Sequence, residues 1–240
     1  MPARFKNQFW GDVFRCKGFG YTTAMQETQS NIFVKTLQVG PLRCNCTILG
    51  DRVSKRAIVV DPGGDADRIL QILDEEGFSV SQILHTHAHF DHFLASGEMH
   101  EKTGAPLCLH QEDKPLWDHL EVQCSLFGMP YKPVPAPTHW LEHEEDLPLT
   151  SLSGKAIFTP GHTPGSMSFL FEDINLLLAG DTLFQGGIGR TDLWGGDYPT
   201  IEKSIRERLY TLNEDIRVVT GHGPGTTIGH EMRNNPFVRA

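Results

Sequence analysis

The 240-residue chain lacks an apolar run long enough to cross a bilayer, and it has little positive charge. Its 21 Lys and Arg against 30 Asp and Glu give a formal net charge of −9, which would repel a phosphate backbone. We therefore expect neither a membrane nor a nucleic acid as a partner. The chain also lacks the cysteine framework of a secreted disulfide-rich protein, because its five cysteines are odd in number and scattered. This pattern predicts a reducing, cytoplasmic compartment.

Residues 1–30 differ in composition from the rest of the chain. Aromatic and basic residues interleave there, acids are few, and the aromatic residues include Phe5, Phe9, Trp10, Phe14 and Phe19. No secretory apolar segment is present, and the single serine, Ser30, is unlike a Ser-rich transit peptide. We predict an aromatic and basic N-terminal extension that packs on the domain or on a second subunit, with organelle import as the alternative.

From Ile32 onward, short apolar runs alternate with helical stretches, and no linker interrupts them. The runs predict strands at 32–34, 47–49, 57–60, 81–84, 106–109, 156–158, 167–171, 176–178 and 217–219. Helical periodicity covers 65–76, which Gly77 would end, and 200–212. Strands mixed with helices predict an α/β fold with helix-covered sheets, formed as one domain by residues 31–240.

The segment 86–92 reads Thr-His-Ala-His-Phe-Asp-His and comes after the apolar run Ile83-Leu84. Four potential metal ligands within six residues cannot all face one way on a regular helix or strand. A loop wrapped around metal is therefore predicted, with a histidine-rich surface turn as the alternative. The spacing and the partners further along the chain favour the metal.

Polar residues also follow other strand-like runs, as Asp61, His162, Asp181 and His222 do. Carboxyl ends of strands open onto one edge of an α/β sheet, so these side chains should converge. Five histidines and two aspartates are too many for one tetrahedral zinc but suit two metals, which would produce a hydroxide nucleophile for hydrolysis. Nitrogen and oxygen donors are compatible with Zn, Fe or Mn.

Cys44-x-Cys46 is interpreted as a buried structural pair rather than a metal or redox site.

The combined motifs resemble the metallo-β-lactamase superfamily, and within it the small glyoxalase II-like hydrolases. The motifs are Thr86-His-x-His-x-Asp-His92, Gly161-His-Thr-Pro-Gly165, Gly180-Asp181 and Gly221-His222, and the resemblance extends over roughly residues 31 to 238. It implies a four-layer αββα sandwich with two divalent metal ions at one edge, zinc being the first expectation. It also implies a bridging Asp181 between two ligand sets, which are His87, His89 and His162 for one metal and Asp91, His92 and His222 for the other.

The resemblance also gives roles to Asp61 and Arg190. Asp61 would orient a ligand imidazole, although it could instead, or in addition, cap the helix that begins near Asp65. Arg190 would contact a glutathione carboxylate, although a salt bridge with Asp192 is an equal alternative. Glyoxalase II enzymes resemble this chain until about residue 230 and then continue into a helical domain with basic residues, so we expect a hydrolase that lacks this domain.

The predicted function is metal-dependent hydrolysis of a small acyl thioester similar to S-lactoylglutathione, by a metal-bridging hydroxide. Asp91 would be catalytic, holding the nucleophile and receiving its proton, and the protein would act as a monomer or homodimer. One alternative is a persulfide dioxygenase with a single iron on His87, His162 and Asp181, which resembles this chain in Gly189-Arg190-Thr191-Asp192. A binding module without catalytic activity is the other.

Overall fold

A six-stranded sheet forms the first half of the fold in the computed structural model, which describes residues 31–240. The predicted N-terminal extension, residues 1–30, lies outside the described residues, and its division from a domain at 31–240 stays a prediction. The strands follow chain order across the sheet: β1 (Ile32–Val39), β2 (Cys44–Asp51), β3 (Arg56–Val60), β4 (Ser79–Leu84), β5 (Leu107–His110) and β6 (His139–Leu141). β1 to β3 pair antiparallel, and β3 to β6 pair parallel.

A second six-stranded sheet packs against the first. Its strands are β7 (Asp146–Leu149), β8 (Leu152–Phe158), β9 (Met167–Phe171), β10 (Leu176–Gly180), β13 (Arg217–Thr220) and β14 (Thr226–Thr227). A separate hairpin of β11 (Leu183–Phe184) and β12 (Gly187–Ile188) lies between β10 and β13 in the chain. The order across the sheet is β14-β13-β10-β9-β8-β7, and only β10 and β13 pair in parallel.

Helices cover the outer face of each sheet. The first sheet carries α1 (Ala66–Glu76), α2 (Phe90–Phe93), α3 (Ser96–Thr103), α4 (Lys114–Asp118) and α5 (Leu120–Leu126). The second carries α6 (Tyr198–Ser204), a wide helical turn at Ile205–Leu209, and α7 (Ile228–Asn234). None of the helices within residues 31–240 is long and apolar enough to span a membrane.

Side-chain alternation along the strands separates the layers. In β10, Leu176 and Leu178 point into the core between the sheets, whereas Leu177 and Ala179 point into the core beneath the helices. The central strands β2, β3, β9 and β10 therefore have two buried faces, which explains their nearly continuous apolar runs. The resulting order of helix, sheet, sheet and helix confirms the predicted αββα fold.

The sequence located the long apolar strands and α1, and it missed five strands of two to four residues and the helices α2, α3, α4, α5 and α7. Every predicted strand is present, and α1 ends at Gly77, whose φ of 68° is a left-handed conformation that suits glycine. The helical segment predicted over 200–212 is present, but it is not a regular α-helix throughout and ends at Leu209. That segment starts at Tyr198, where the Asp197 side chain accepts a hydrogen bond from Thr200 N, and it widens after Ser204 into the turn that ends at Leu209.

Candidate metal centre

Strand ends bring the predicted polar residues to one edge of the two sheets. Asp61 follows β3, the 85–92 loop follows β4, His162 follows β8, and Asp181 and His222 follow β10 and β13. The chain approaches itself closely here, since a Cβ added to Gly221 would lie 1.9 Å from Oδ1 of Asp181. Glycine is therefore required at this turn, where the backbones after β10 and β13 meet.

Three imidazoles form one cluster, which we call the first triad: His87, His89 and His162. Nδ1 of His89 lies 2.9 Å from Nε2 of His162, and Nε2 of His87 lies 3.3 Å from the same atom. The loop between β4 and α2 supplies His87 and His89, and the loop after β8 supplies His162. The three nitrogens are close enough to one another to hold a single metal ion.

The second triad consists of Asp91, His92 and His222. The short helix α2 carries Asp91 and His92 at adjacent positions, and His222 lies in the turn that follows β13. Nε2 of His222 lies 3.0 Å from Oδ2 of Asp91 and 3.2 Å from Nε2 of His92. These three ligand atoms also meet the distances required of one metal site.

Asp181 lies between the two triads. Its Oδ2 is 3.6 Å from Nε2 of His162, while its Oδ1 is 3.5 Å from Nε2 of His92 and 3.9 Å from Nε2 of His222. Oδ1 is buried and accepts no hydrogen bond from the part of the chain that the structure describes. A buried carboxylate oxygen without a donor is costly, and a cation bound between the two triads would remove this cost.

The outer ring nitrogens of His162 and His222 carry the protons of the neutral rings. Nδ1 of His162 is 2.8 Å from the carbonyl oxygen of Arg190, and Nδ1 of His222 is 3.1 Å from that of Leu42. A carbonyl oxygen only accepts hydrogen bonds, so each Nδ1 must be the donor. In the neutral rings, each Nε2 therefore presents a lone pair to the centre.

In His87 and His92, as in His162 and His222, the neutral ring carries its proton on Nδ1, and the partners that fix it there are Asp61 and Thr86. Nδ1 of His92 donates to Oδ2 of Asp61 at 3.0 Å, since a carboxylate accepts. The Thr86 hydroxyl donates to Asp61 at 2.6 Å and thus accepts from Nδ1 of His87 at 3.0 Å. The Nε2 lone pairs of both rings therefore also point inward.

Inward lone pairs and an unpartnered carboxylate oxygen repel one another unless positive charge lies between them. Protons would relieve this repulsion in part, and two divalent cations would relieve it at both triads. The donor atoms are nitrogen and oxygen, which suits zinc, iron and manganese. The described residues thus fit two divalent metal ions, although their individual ligand roles stay predictions.

The two triads differ in how readily they bind protons. Burial, together with the neighbouring imidazoles, lowers the pKa of His87 and His162 and brings that of His89 to about 3. Burial also acts to lower the pKa of His92 and His222, but it is outweighed by the Cys44 sulfur and the carboxylates around His92, and by Asp91 and Asp181 at His222, so both values lie above 6.5. The first triad is therefore ready for metal at neutral pH, whereas the second must release protons.

Asp61 is held in a strained conformation that directs its carboxylate into the site. Its φ is 52°, in the left-handed region, and its Oδ1 accepts a 2.7 Å hydrogen bond from the backbone of Thr86. Asp61 does not cap α1, because the N-cap position is occupied by Asp65. The side chain of Asp65 makes no capping hydrogen bond. The Asp61 carboxylate instead contacts His92 and Thr86, as required of a residue that orients imidazoles.

Asp61→Asn should weaken metal binding about 10–100-fold, the usual effect of losing a hydrogen-bond partner behind a metal ligand. The amide nitrogen cannot accept from Nδ1 of His92 or from the Thr86 hydroxyl. A matched control is Asp51→Asn, because Asp51 is also buried and accepts from Val53 N and Ser151 N at 2.8 Å, at the far end of β2. Equal metal affinities in both variants, measured by competition with a chelator, would contradict this role.

Cys44 contacts the site, which the sequence did not indicate. Its Sγ lies 3.4 Å from Nδ1 of His92, on the opposite side of the ring from the triads. Burial raises the pKa of the Cys44 thiol to about 12, so the thiol stays neutral and is a poor metal ligand. Cys44 and Cys46 are both fully buried in the core beneath the helices, in agreement with the predicted structural pair.

Arg190 takes part in the site through its backbone. Its carbonyl oxygen orients His162, while its exposed guanidinium donates two 2.7 Å hydrogen bonds to the carboxylate of Asp192. The salt bridge considered as an alternative is therefore present. Contact between Arg190 and a substrate stays a prediction.

Comparison with known proteins agrees with this geometry. The metallo-beta-lactamase superfamily profile matches residues 39–222. Hydroxyacylglutathione hydrolase GloC of Haemophilus influenzae is 38% identical over 209 residues, which cover 86% of this chain and 98% of GloC.

Two solved structures are similar to the chain in both fold and amino-acid sequence. The B3 metallo-beta-lactamase BLEG-1 superposes with a TM-score of 0.80 and 37% identity, covering 87% of this chain and 100% of BLEG-1. TTHA1623 in a di-iron-bound form has a TM-score of 0.76 and 34% identity, covering 86% of this chain and 100% of TTHA1623. The profile match, the fold of the chain, its His/Asp clusters and these relatives show that the chain belongs to the metallo-beta-lactamase superfamily of metal-binding hydrolases.

Proposed function

We propose that the protein hydrolyses acyl thioesters with the help of two divalent metal ions, and that thioesters similar to S-lactoylglutathione are its substrates. The observation that carries this proposal is the buried, unpartnered Oδ1 of Asp181 between the two triads. The similarity to a hydroxyacylglutathione hydrolase supports the substrate class, and the similarity to a di-iron protein supports two metals.

The two triads would hold one ion each, with Asp181 shared between them. Bound divalent ions lower the pKa of a coordinated water molecule toward neutrality and polarise a carbonyl group. Zinc is the first candidate because imidazole and carboxylate are its common ligands in catalytic sites, and iron or manganese would suit the same atoms.

Asp91 is the residue that we assign to the attacking water. In the metal-free chain burial opposes its ionisation, but nearby His92 and the hydrogen bond from protonated His222 outweigh that effect and hold the pKa of Asp91 well below its usual range, and a divalent ion at the second triad would favour the ionised form in the same way. Its carboxylate is therefore ionised at neutral pH. In that form it would accept a hydrogen bond from the water and orient it, and it would hold the proton of the water only briefly before passing it to solvent, because a carboxylate of low pKa is a weak base.

A thiol leaving group suits these residues. Thiols have a pKa of about 8.5, so a thiolate leaves with little protonation, whereas an amine or alkoxide needs a general acid. Arg190 lies at the edge of the site, and its exposed ion pair with Asp192 contributes little stability. Its guanidinium is therefore free to exchange Asp192 for a carboxylate of the substrate.

Purified protein loaded with zinc, iron or manganese should release thiol from S-lactoylglutathione and related acyl thioesters. The matched control substrates are an oxygen ester with the same acyl group and a β-lactam, which we expect to react more slowly because their leaving groups are poorer. Thiol release is followed with a thiol reagent. Failure to hydrolyse any thioester with any of the three metals would overturn the proposal.

A single-iron persulfide dioxygenase is the second candidate. Nε2 of His162 lies 3.3 Å from Nε2 of His87 and 3.6 Å from Oδ2 of Asp181, and these three residues form a two-His-one-carboxylate set, which suits iron that activates oxygen. The second triad would then be redundant. One iron per chain, together with oxygen uptake on glutathione persulfide, would favour this function, and metal binding without either reaction would favour a binding module.

A further inference from the structure

Asp113 is a buried carboxylate that lies between the two loops carrying the first triad. It ends the short turn Gln111–Asp113 that follows β5, and its exposed fraction is 0%. It is not one of the candidate ligands. Like Asp61, Asp181 and His222, it follows the carboxyl end of a strand, although one short turn further along the chain.

Each oxygen of Asp113 holds a different part of these loops. Oδ2 accepts hydrogen bonds of 2.8 Å from the backbone N–H of Ala88 and from the hydroxyl of Thr163, and Oδ1 accepts one of 2.6 Å from the N–H of Gly165. Ala88 separates His87 from His89, and Thr163 follows His162. One carboxylate therefore connects the backbone segments of all three imidazoles.

The packing around Asp113 supports a specific role in this contact. A Cβ added to Gly165 would lie 2.7 Å from the Cβ of Asp113, so only glycine lets the loop approach the carboxylate this closely. Gln123 completes the restraint, because its Nε2 donates to the carbonyl of Ala88 at 3.0 Å. Both backbone polar groups of Ala88 are thus fixed by buried side chains.

Stability alone does not explain this carboxylate. Burial raises the pKa of Asp113 to about 6, which means that its ionised form is disfavoured relative to the unfolded chain. Its partners are two backbone N–H groups and a hydroxyl, which carry no charge. A buried acid held only by neutral donors is a costly way to join two loops.

We propose that Asp113 is a positioning residue that sets the spacing of His87, His89 and His162 and thereby the affinity of one of the two metal ions. This inference rests on the two-metal site of the proposed function. Asp61 acts on both triads, through His92 and through Thr86 to His87. Asp113 acts on the first triad only, through the backbone on either side of its histidines.

Asp113→Asn tests this role in the full chain. An asparagine side chain can accept at one end only, so its NH₂ group would face either the N–H of Gly165 or the donors from Ala88 and Thr163. In a titration with Co²⁺, one site should weaken about 10–100-fold while the other keeps its wild-type affinity. Unchanged binding at both sites, or equal weakening of both, would overturn the proposal.

Asp51→Asn again serves as the matched control, since it removes a buried carboxylate that joins two segments far from the site. We expect both of its cobalt affinities to equal those of the wild type. If Asp113→Asn fails to fold, Thr163→Val removes one of the three donors to Asp113, together with the contact to the Ser166 hydroxyl, and should weaken the same single site to a smaller extent. Unaltered cobalt binding in Thr163→Val would then count against the proposal.

Hydrogen exchange in metal-free protein separates this inference from the proposed function. Asp113→Asn should speed the exchange of the Ala88 and Gly165 amides, and Asp51→Asn should leave their exchange unchanged. Failure of the wild-type protein to bind any metal would refute the proposed function. Unchanged exchange at both amides in Asp113→Asn would refute the role of Asp113 even if the wild type binds two metals.

Discussion

Asp181→Asn should reduce thioester hydrolysis by at least about 10³-fold and lower the metal content of the purified protein. The amide has nearly the same shape, but it removes the carboxylate that both triads share. Metal ions supply several kcal/mol of transition-state stabilisation, and each 1.36 kcal/mol corresponds to a factor of ten in rate. Metal per chain and kcat/KM should therefore fall together.

The control for this variant is Asp51→Asn, which should keep both the metals and the activity. Like Asp181→Asn, this variant replaces a carboxylate by an amide, but the buried Asp51 lies outside the two triads. If Asp181→Asn bound two metals as tightly as the wild type and hydrolysed thioesters at a similar rate, Asp181 would not bridge the two metals. The unpartnered Oδ1 would then need another explanation.

Acidification should release the two metal ions in order, the one at the second triad first. His92 and His222 have pKa values raised above 6.5, so below that range protons occupy the atoms that a metal needs. Each proton that a metal must displace lowers its apparent affinity about tenfold per pH unit. The first triad should retain its metal to lower pH, since its imidazoles have lowered pKa values, that of His89 being about 3.

Dialysis at stepwise pH between about 7.5 and 4, followed by metal analysis, would measure this order. We expect a plateau at one metal per chain, with hydrolysis already lost on that plateau because Asp91 and its partners belong to the second triad. Simultaneous release of both metals, or activity that persists with one metal, would contradict the different proton affinities of the two triads.

The fold could be predicted because its central strands, such as β9 and β10, are buried on both faces. Runs such as Leu176 to Leu178 stay apolar at every position, so they stand out in the sequence. The missed strands are short and polar or half-exposed, as β14 at Thr226–Thr227 is, and their pairing depends on neighbours distant in the chain. The wide turn at Ile205–Leu209 keeps Ile205 and Leu209 buried, as a regular helix would, so the sequence pattern did not reveal it.

The site was predicted by looking for polar residues directly after apolar runs. Asp113 was missed because a short turn separates it from the end of β5, although the same rule extended by three residues would have found it. The contact of Cys44 with His92 could not be predicted, since it joins positions 48 residues apart. The carbonyl groups of Leu42 and Arg190 orient ligand imidazoles, and any residue type supplies a carbonyl.

The number of metal ions bound by the wild-type chain at saturation tests the two-metal centre most directly. Metal-free protein should bind two zinc ions per chain in a calorimetric titration near pH 7.5, with thioester hydrolysis appearing as the sites fill and disappearing with a chelator. A chain that saturates at one ion, or that hydrolyses thioesters equally well after chelation, would contradict the account.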